Sequence, residues 1–170
     1  MNGPQVQAWL DQQDALVRDC VREFGCFLQF VISGPAEAST GLCYTTGLFG
    51  IRHPELIVFG LDQPSSAGLL NHCFDRVREG NDLMPGEILT SPDGSTRVRV
   101  EEFPDPGGVL YTANRFYGRP DEFSVPAYQL TWDVDGAFPD DEGYPYPPHV
   151  QPLPGTFVLD EGGECGCGSG

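Results

Sequence analysis

The segment at residues 56–61, with the sequence LIVFGL, is apolar at consecutive positions instead of alternating with polar residues. Successive side chains of a strand point to opposite faces of its sheet. An unbroken apolar run therefore predicts a strand that is buried on both faces and lies in the centre of a sheet. This segment thus favours a fold that contains a β-sheet.

Further segments rich in β-branched and aromatic residues predict the rest of the sheet. They lie at residues 26–33, 42–48, 87–90, 96–103 and 127–132. The short loop at 34–41 favours an antiparallel hairpin between the first two of these strands. The sequence SPDGS at 91–95 is a strong turn signal between the strands that flank it.

Helical periodicity predicts two long helices and one short helix. Residues 4–24 carry one apolar stripe that includes Trp9 and Val17, with Pro4 in the first turn and Gly25 as a C-terminal cap. A second helix begins near Asp62 and ends at Gly80, and residues 109–117 favour a third. We therefore predict an α+β fold, with a mixed and largely antiparallel sheet of about five strands and two or three helices packed mainly on one face.

The length of 170 residues fits a single domain with a hydrophobic core. Residues 139–155 are rich in proline and acidic residues, and residues 161–170 are almost all Gly, Cys, Ser and Glu. We predict one domain over residues 1–155 and a flexible acidic tail over 156–170.

The charge balance limits the partners of the chain. It has 9 basic and 25 acidic residues and a net charge of −16. Nucleic acids and anionic membrane surfaces both require a basic patch, so we expect neither as a partner. A basic protein partner or a small ligand is compatible with this charge, and the oligomeric state is left open.

The first 25 residues are amphipathic and carry acidic side chains, unlike a secretion signal, and the sequence contains no apolar run of 18 residues. We therefore expect a cytoplasmic protein with reduced cysteines and no cofactor.

Two motifs near the predicted hairpin resemble a known family. They are Y-T-T-G-L at residues 44–48 and H-P-E-L-I-V-F-G-L at residues 53–61, which together are similar to the signature of the DUF4262 family of bacterial proteins. Later segments are similar as well: the helix end at 77–80 followed by Pro85-Gly86, R-F-Y-G at 115–118, and Q-L-T-W-D at 129–133 leading through Gly136 to Phe138-Pro139.

The resemblance covers about residues 15–145 and implies one domain. It implies no activity, cofactor or catalytic residue. Asp140 stands where an aromatic residue often follows Phe-Pro in this family, so the chain departs from the pattern at that end.

The first candidate site spans residues 44–55. Tyr44, Thr45 and Thr46 lie on a strand before Gly47, which would allow a backbone or a ligand to approach closely. His53 and Glu55 flank Pro54, whose fixed φ angle would display both side chains from a rigid turn. They are candidates for an acid/base pair, for ligand contacts, or for caps of the turn.

A second candidate site combines a guanidinium group with aromatic rings and an amide: Arg115, Tyr117, Gln129 and Trp132. Such a set would hold a carboxylate or a planar ring. The alternative is ordinary packing of the aromatic residues against the stem of the arginine.

The cysteines give two further hypotheses. Cys20, Cys26, Cys43 and Cys73 lie on apolar stripes and are expected in the core, and among them Cys43 is the candidate for a reactive thiol. The tail sequence C-x-C-G-S-G, with Cys165 and Cys167, resembles the first half of the zinc motif at the end of SecA-type proteins. Two thiolates do not complete a tetrahedral zinc site, so a second copy or His149 would have to supply ligands.

The sequence favours a non-catalytic binding or protein-interaction module. The alternatives are a small enzyme that uses His53 and Glu55, and a zinc-linked interaction through Cys165 and Cys167. Tyr44, Thr45, Thr46, His53, Arg115 and Trp132 are the predicted ligand-binding residues.

Overall fold

Three helices and six strands make up the fold in the computed structural model, which describes residues 3–159. The helices are α1 (Gly3–Phe24), α2 (Gln63–Arg78) and α3 (Tyr111–Phe116). The strands are β1 (Phe27–Ser33), β2 (Thr40–Thr46), β3 (Glu55–Phe59), β4 (Ile88–Thr90), β5 (Arg97–Glu102) and β6 (Ala127–Trp132).

The strands form one mixed sheet in the order β1-β2-β3-β6-β5-β4. All neighbours are antiparallel except β3 and β6, which are parallel and lie at the centre. The predicted hairpin at 26–48 is therefore confirmed, as is the α+β class. Each predicted strand segment is present, including the short β4, which pairs with β5 at one edge, so the sheet has six strands where about five were predicted.

The helices cover both faces of the sheet, whereas we predicted packing mainly on one face. Leu56 and Val58 of β3 pack in a core beneath α2. Ile57 and Phe59 pack in a second core that includes Ala113 of α3. All residues of β3 are buried. Because β3 is apolar on both faces, each face must be covered, and this requirement separates α2 from α1 and α3.

Capping groups set the limits of α2. The Asp62 side chain accepts a hydrogen bond from the Ser65 N–H at 2.7 Å, which satisfies one of the unpaired donors of the first turn. Gly80 follows the last turn with a φ of 96°, and its N–H donates to the Val77 carbonyl. Asp62 and Gly80 thus act at the two ends that the sequence predicts.

The chain continues in the fold beyond residue 155. Phe157 and Leu159 pack against the core on the α3 side of the sheet. The first four residues of the predicted tail are therefore placed, and residues 160–170 lie outside the described residues.

Candidate functional site

The side chain of Glu55 fastens β3 to the turn that follows β2. Its Oε1 accepts hydrogen bonds from the Thr45 hydroxyl at 2.8 Å and from the Leu48 N–H at 3.0 Å. Its Oε2 accepts from the Gly47 and Phe49 N–H groups, each at 3.1 Å. A carboxylate offers about four acceptor positions, and here four donors occupy them.

Glu55 titrates differently from an exposed glutamate. Burial raises the pKa of Glu55 to about 7, while the hydrogen bonds from Phe49, Thr45, Gly47 and Leu48 oppose that rise. A shifted carboxyl of this kind marks an active site only where a substrate can reach it. Glu55 is fully buried and lines neither of the clefts described below.

His53 uses both of its ring nitrogens within the fold. Its Nε2 accepts a hydrogen bond from the Leu83 N–H at 3.1 Å, so the ring proton lies on Nδ1, which is 2.7 Å from the Pro54 carbonyl oxygen. The buried ring also contacts Tyr128 edge-on. His53 thus holds the segment around Leu83 against the start of β3, and these contacts favour a structural role for it over an acid/base role.

The two threonines of the first candidate site differ in their partners. The Thr45 hydroxyl donates to Glu55 and accepts from the Leu56 N–H at 2.9 Å. The Thr46 hydroxyl is buried and has no hydrogen-bond partner among the described residues. At Gly47, with a φ of 136°, a Cβ atom would collide with the Gly25 carbonyl oxygen. The close approach that this glycine permits is therefore made by the backbone of the chain itself.

The buried cysteines have the character of core residues. Burial raises the pKa of the Cys26, Cys43 and Cys73 thiols to about 12 in each case. A thiol with such a pKa is almost entirely protonated at neutral pH and is a poor nucleophile. Cys43 is 2% exposed, so its surroundings favour packing over reactivity.

The residues of the second candidate site do not converge. Each of them contacts a different part of the chain. Arg115 is exposed and pairs with Asp14, and the Tyr117 hydroxyl accepts a hydrogen bond from the Gly50 N–H. The Gln129 amide donates to the Pro152 carbonyl, and the Trp132 indole donates to the Phe59 carbonyl. Tyr117 packs on the α3 side of the sheet, whereas Trp132 packs on the α2 side. The sheet thus separates two members of the predicted site.

A cleft of about 370 Å³ lies between α1 and α3, above β1 and β2, and we call it the α1 cleft. Its apolar lining consists of Trp9, Leu10, Val17, Val31, Val109, Tyr111, Phe116 and Leu159. Its polar lining consists of Gln13, Asp14, Arg18, Gln29, Tyr44, Thr112 and Arg115. Tyr44 and Arg115, two of the predicted ligand-binding residues, therefore meet in one concave site.

The polar groups of the α1 cleft come from four elements, α1, β1, β2 and α3. Arg115 of α3 forms a double hydrogen bond to Asp14 of α1, at 2.7 and 3.0 Å. The Tyr44 hydroxyl accepts from the Thr112 N–H at 3.1 Å, and the Thr112 hydroxyl lies 3.4 Å from the Gln29 amide oxygen. These contacts join the sheet to α3, and α3 to α1.

Much of the apolar stripe of α1 is exposed beside this cleft. The sequence predicts a buried stripe, yet Val17 alone is buried among the residues of α1. The Trp9 side chain is 44% exposed, and Val6, Leu16 and Phe24 are also exposed. The helix itself is confirmed, but it lies at the margin of the sheet, where β1 and α3 cover only part of its stripe.

A family model described as "Domain of unknown function (DUF4262)" matches residues 20–145. The chain belongs to the DUF4262 family. The resemblance carried by the two motifs at 44–61 is thereby confirmed. No curated protein and no solved structure matches the chain.

The α1 cleft crosses the boundary of the DUF4262 match. Gln29, Tyr44 and Arg115 lie within the matched residues, and Trp9 and Arg18 precede them. Sequence reasoning did not single out Trp9, Arg18, Gln29 or Thr112 as site residues. No local pattern marks Gln29 or Thr112, because β1 and α3 come together only in the folded chain.

Two further predictions concern metals and membranes. Among residues 3–159, no group of three or more His, Cys, Asp or Glu side chains is placed to hold a metal ion. The zinc hypothesis for Cys165 and Cys167 falls outside the described residues and stays a prediction. Within the described part of the chain, none of the helices has both the length and the hydrophobicity needed to cross a membrane.

Proposed function

We propose that this DUF4262 protein is a non-catalytic binding module whose α1 cleft takes a small amphipathic organic anion. The observation that carries the proposal is that Trp9 and Arg18, both exposed on α1, border the same cleft. One supplies an aromatic surface and the other a cation. A ligand with an apolar body and an anionic end matches both.

The size and lining of the cleft fit the apolar body. Its volume of about 370 Å³ lies within the range of small-molecule sites, roughly 300–1,000 Å³. Trp9, Val31, Val109 and Phe116 come from different elements and surround the same space. A ligand there would remove part of the exposed Trp9 ring from water, at about 25 cal/mol per Å² of apolar surface buried.

The local charge of the cleft favours an anionic end. Asp14 and Arg115 neutralise one another, and Arg18 has no ion-pair partner among residues 3–159. The charged side chains that line the cleft, Asp14, Arg18 and Arg115, thus sum to +1, whereas the whole chain carries −16 and Asp11, one turn before Asp14, also acts on Arg115. Because the Debye length is about 8 Å at physiological salt, the nearby arginine acts more strongly on a bound anion than the distant carboxylates do.

The contacts of the alternative site support binding over catalysis. Both oxygens of Glu55 and both ring nitrogens of His53 are engaged within the fold. An acid/base pair needs at least one group within hydrogen-bond reach of a substrate. These contacts support the α1 cleft over the His53–Glu55 segment as the proposed binding site.

The proposal is tested by titrating the full-length protein with decanoate, and separately with decanol, which has the same chain length without the charge. The chain has two tryptophans, so two indole N–H signals appear in an NMR spectrum of ¹⁵N-labelled protein. Decanoate should shift the Trp9 signal and bind more tightly than decanol. The Trp9→Phe variant assigns the two signals.

A matched pair of variants locates the anionic end. Arg18→Gln should weaken decanoate binding by about tenfold, which corresponds to about 1.4 kcal/mol. Arg22→Gln, one turn further along α1 and outside the cleft, should leave the affinity within about twofold of the unchanged protein. Equal affinities for decanoate and decanol, or equal losses in the two variants, would contradict the proposal.

A further inference from the structure

A second cleft, of about 510 Å³, opens on the α2 face of the sheet, and we call it the hairpin cleft. It lies between the first turns of α2, the turn at residues 91–96 that joins β4 to β5, and the end of β6. Leu69, Val98 and Trp132 contribute apolar lining, and Ser65, Asp93 and Asp135 contribute polar groups. It shares no lining residue with the α1 cleft.

Two carboxylates at this cleft form no ion pair with any of residues 3–159. Asp93 is exposed, and hydrogen bonds from Ser91 and Ser95 to its Oδ1 lower its pKa to about 2, so it is ionised at neutral pH. Asp135 is exposed and has no ion-pair partner among the described residues. A third carboxylate, Asp133, is paired with Arg97 at 3.2 Å.

The aromatic rings beside the cleft provide a second attraction for a cation. The Trp132 ring lines the cleft and packs against Tyr144 and Tyr146, with ring centroids 6.4 and 6.0 Å away. The rings of Tyr144 and Tyr146 also contact one another, and Tyr146 is about half exposed. The faces of aromatic rings attract guanidinium and ammonium groups by a cation–π interaction.

We infer that the hairpin cleft binds an arginine or lysine side chain presented by a basic segment of a partner protein. The carboxylates of Asp93 and Asp135 complement the charge of such a side chain, and Leu69, Val98 and Trp132 complement its aliphatic stem and apolar neighbours. The net charge of −16 attracts an extended basic segment more strongly than a single small cation, because every positive charge of the segment contributes to the attraction.

The inference is tested with a defined peptide, acetyl-Leu-Arg-Leu-Arg-Leu-amide, added to the ¹⁵N-labelled full-length protein. The matched control peptide carries citrulline in place of both arginines, which keeps the shape and removes the charge. The arginine peptide should shift the Trp132 indole signal and leave the Trp9 signal in place. The two indole signals thus report the two clefts separately, so failure at one cleft is distinguishable from failure at the other.

Two sets of variants locate the interaction. The double variant Asp93→Asn/Asp135→Asn removes both charges, and asparagine tolerates the φ of 51° at residue 135. It should weaken peptide binding by about tenfold. The control variant Glu37→Gln/Asp105→Asn removes the same total charge from exposed positions outside the cleft and should change the affinity by no more than about twofold.

A second test leaves Asp93 and Asp135 unchanged. Gly68 lies in α2 and lines the cleft, and a Cβ atom there would meet no other atom within 4 Å. Gly68→Gln should fill part of the cleft and abolish the Trp132 shift, while the helix gains a better helix-forming residue. Circular dichroism confirms that each variant is folded before it is titrated.

The inference is overturned if the citrulline peptide binds as tightly as the arginine peptide, or if the two double variants lose affinity equally. It is overturned as well if the arginine peptide leaves the Trp132 signal unmoved, or if free arginine binds as tightly as the peptide. The last result would assign the cleft to a small cation in place of a protein segment.

Discussion

At the scale of single residues, Glu55 and its donors determine how β2, β3 and the intervening turn fit together. The Thr45 hydroxyl and the N–H groups of Gly47, Leu48 and Phe49 converge on one buried carboxylate. A buried polar group with a full set of partners contributes to a unique packing, and one that loses a partner is costly. The motif Y-T-T-G-L is thus half of a hydrogen-bonded unit, and the glutamate of H-P-E-L is the other half.

Thr45 and Thr46 offer a direct test, because both are fully buried and adjacent in β2. Thr45→Val should lower the free energy of unfolding by about 2 kcal/mol, because Glu55 loses a donor and the Leu56 N–H loses its acceptor. Thr46→Val should leave stability unchanged or raise it slightly, because the Thr46 hydroxyl has no partner among the described residues. Urea unfolding of both variants measures the difference, and equal effects would contradict this account.

Glu55 should also give the protein a specific pH dependence. Its pKa is about 7 in the folded chain and about 4.5 as a free side chain. Between these values the folded state holds a proton that the unfolded state has released, so the contribution of Glu55 to stability is complete below pH 4.5 and declines as the pH rises to 7.

The Glu55→Gln variant isolates this effect from the other carboxylates. The free energy of unfolding of the unchanged protein, minus that of the variant, should fall between pH 4.5 and 7 by at most about 1.4 kcal/mol per pH unit. Above pH 7 the difference should be flat. A difference that stays constant or rises across this range would show that Glu55 remains ionised in the fold.

At the scale of elements, α1 and α2 are held to the sheet very differently. In α2, Leu69, Leu70, Cys73, Phe74 and Val77 are all buried, whereas in α1 only Val17 is. The ion pair between Asp14 and Arg115 adds little stability, because both side chains are more than 40% exposed. The first half of α1 is therefore the part of the α1 cleft that the proposed ligand would stabilise most.

Hydrogen exchange should report this difference. Backbone amides of residues 5–12 should exchange at least about a hundredfold faster than those in the centre of α2, because few buried contacts hold them. Decanoate at ten times its Kd should slow the exchange of these amides by about tenfold, as expected for a ligand that binds only when α1 is folded against the sheet. Amides of α2 serve as the internal control, and equal exchange in the two helices would refute the weak docking of α1.

The sequence carried enough information to predict most of these elements. Unbroken apolar character predicted β3 as the central strand, and turn residues predicted the hairpin of β4 and β5. It did not predict that helices lie on both faces, because an amphipathic stripe such as that of α1 does not say which surface it meets. The α1 cleft was missed for the same reason, since Tyr44 and Arg115 are 71 positions apart and meet only through long-range packing.

The predicted acid/base pair shows a different limit of sequence reasoning. His53 and Glu55 have residue types and a spacing compatible with catalysis, and the sequence gives no sign of their partners. Their partners are mostly backbone N–H and carbonyl groups, which every residue carries. A pattern of side chains therefore cannot distinguish two buried residues that hydrogen-bond to the backbone from a catalytic pair.

At the scale of the whole molecule, the net charge of −16 acts on both binding and stability. All nine basic residues are arginines, and six of them form ion pairs with carboxylates among the described residues. Each exposed pair contributes only about 0–1 kcal/mol. Repulsion among the remaining carboxylates opposes the compact state. Screening by salt should therefore weaken this repulsion by more than it weakens the attraction within the ion pairs.

Added salt should therefore stabilise the protein. Raising NaCl from 10 to 150 mM shortens the Debye length from about 30 to about 8 Å. We expect a gain of about 1 kcal/mol, which for a chain of this size corresponds to a Tm increase of about 2–4 °C. The variant Glu37→Gln/Glu79→Gln/Asp105→Asn removes three exposed carboxylates without touching an ion pair, and its Tm should respond less to salt. A Tm that falls with salt would mean that the arginine ion pairs outweigh the repulsion, and the acidic surface would then have to be explained by its partners alone.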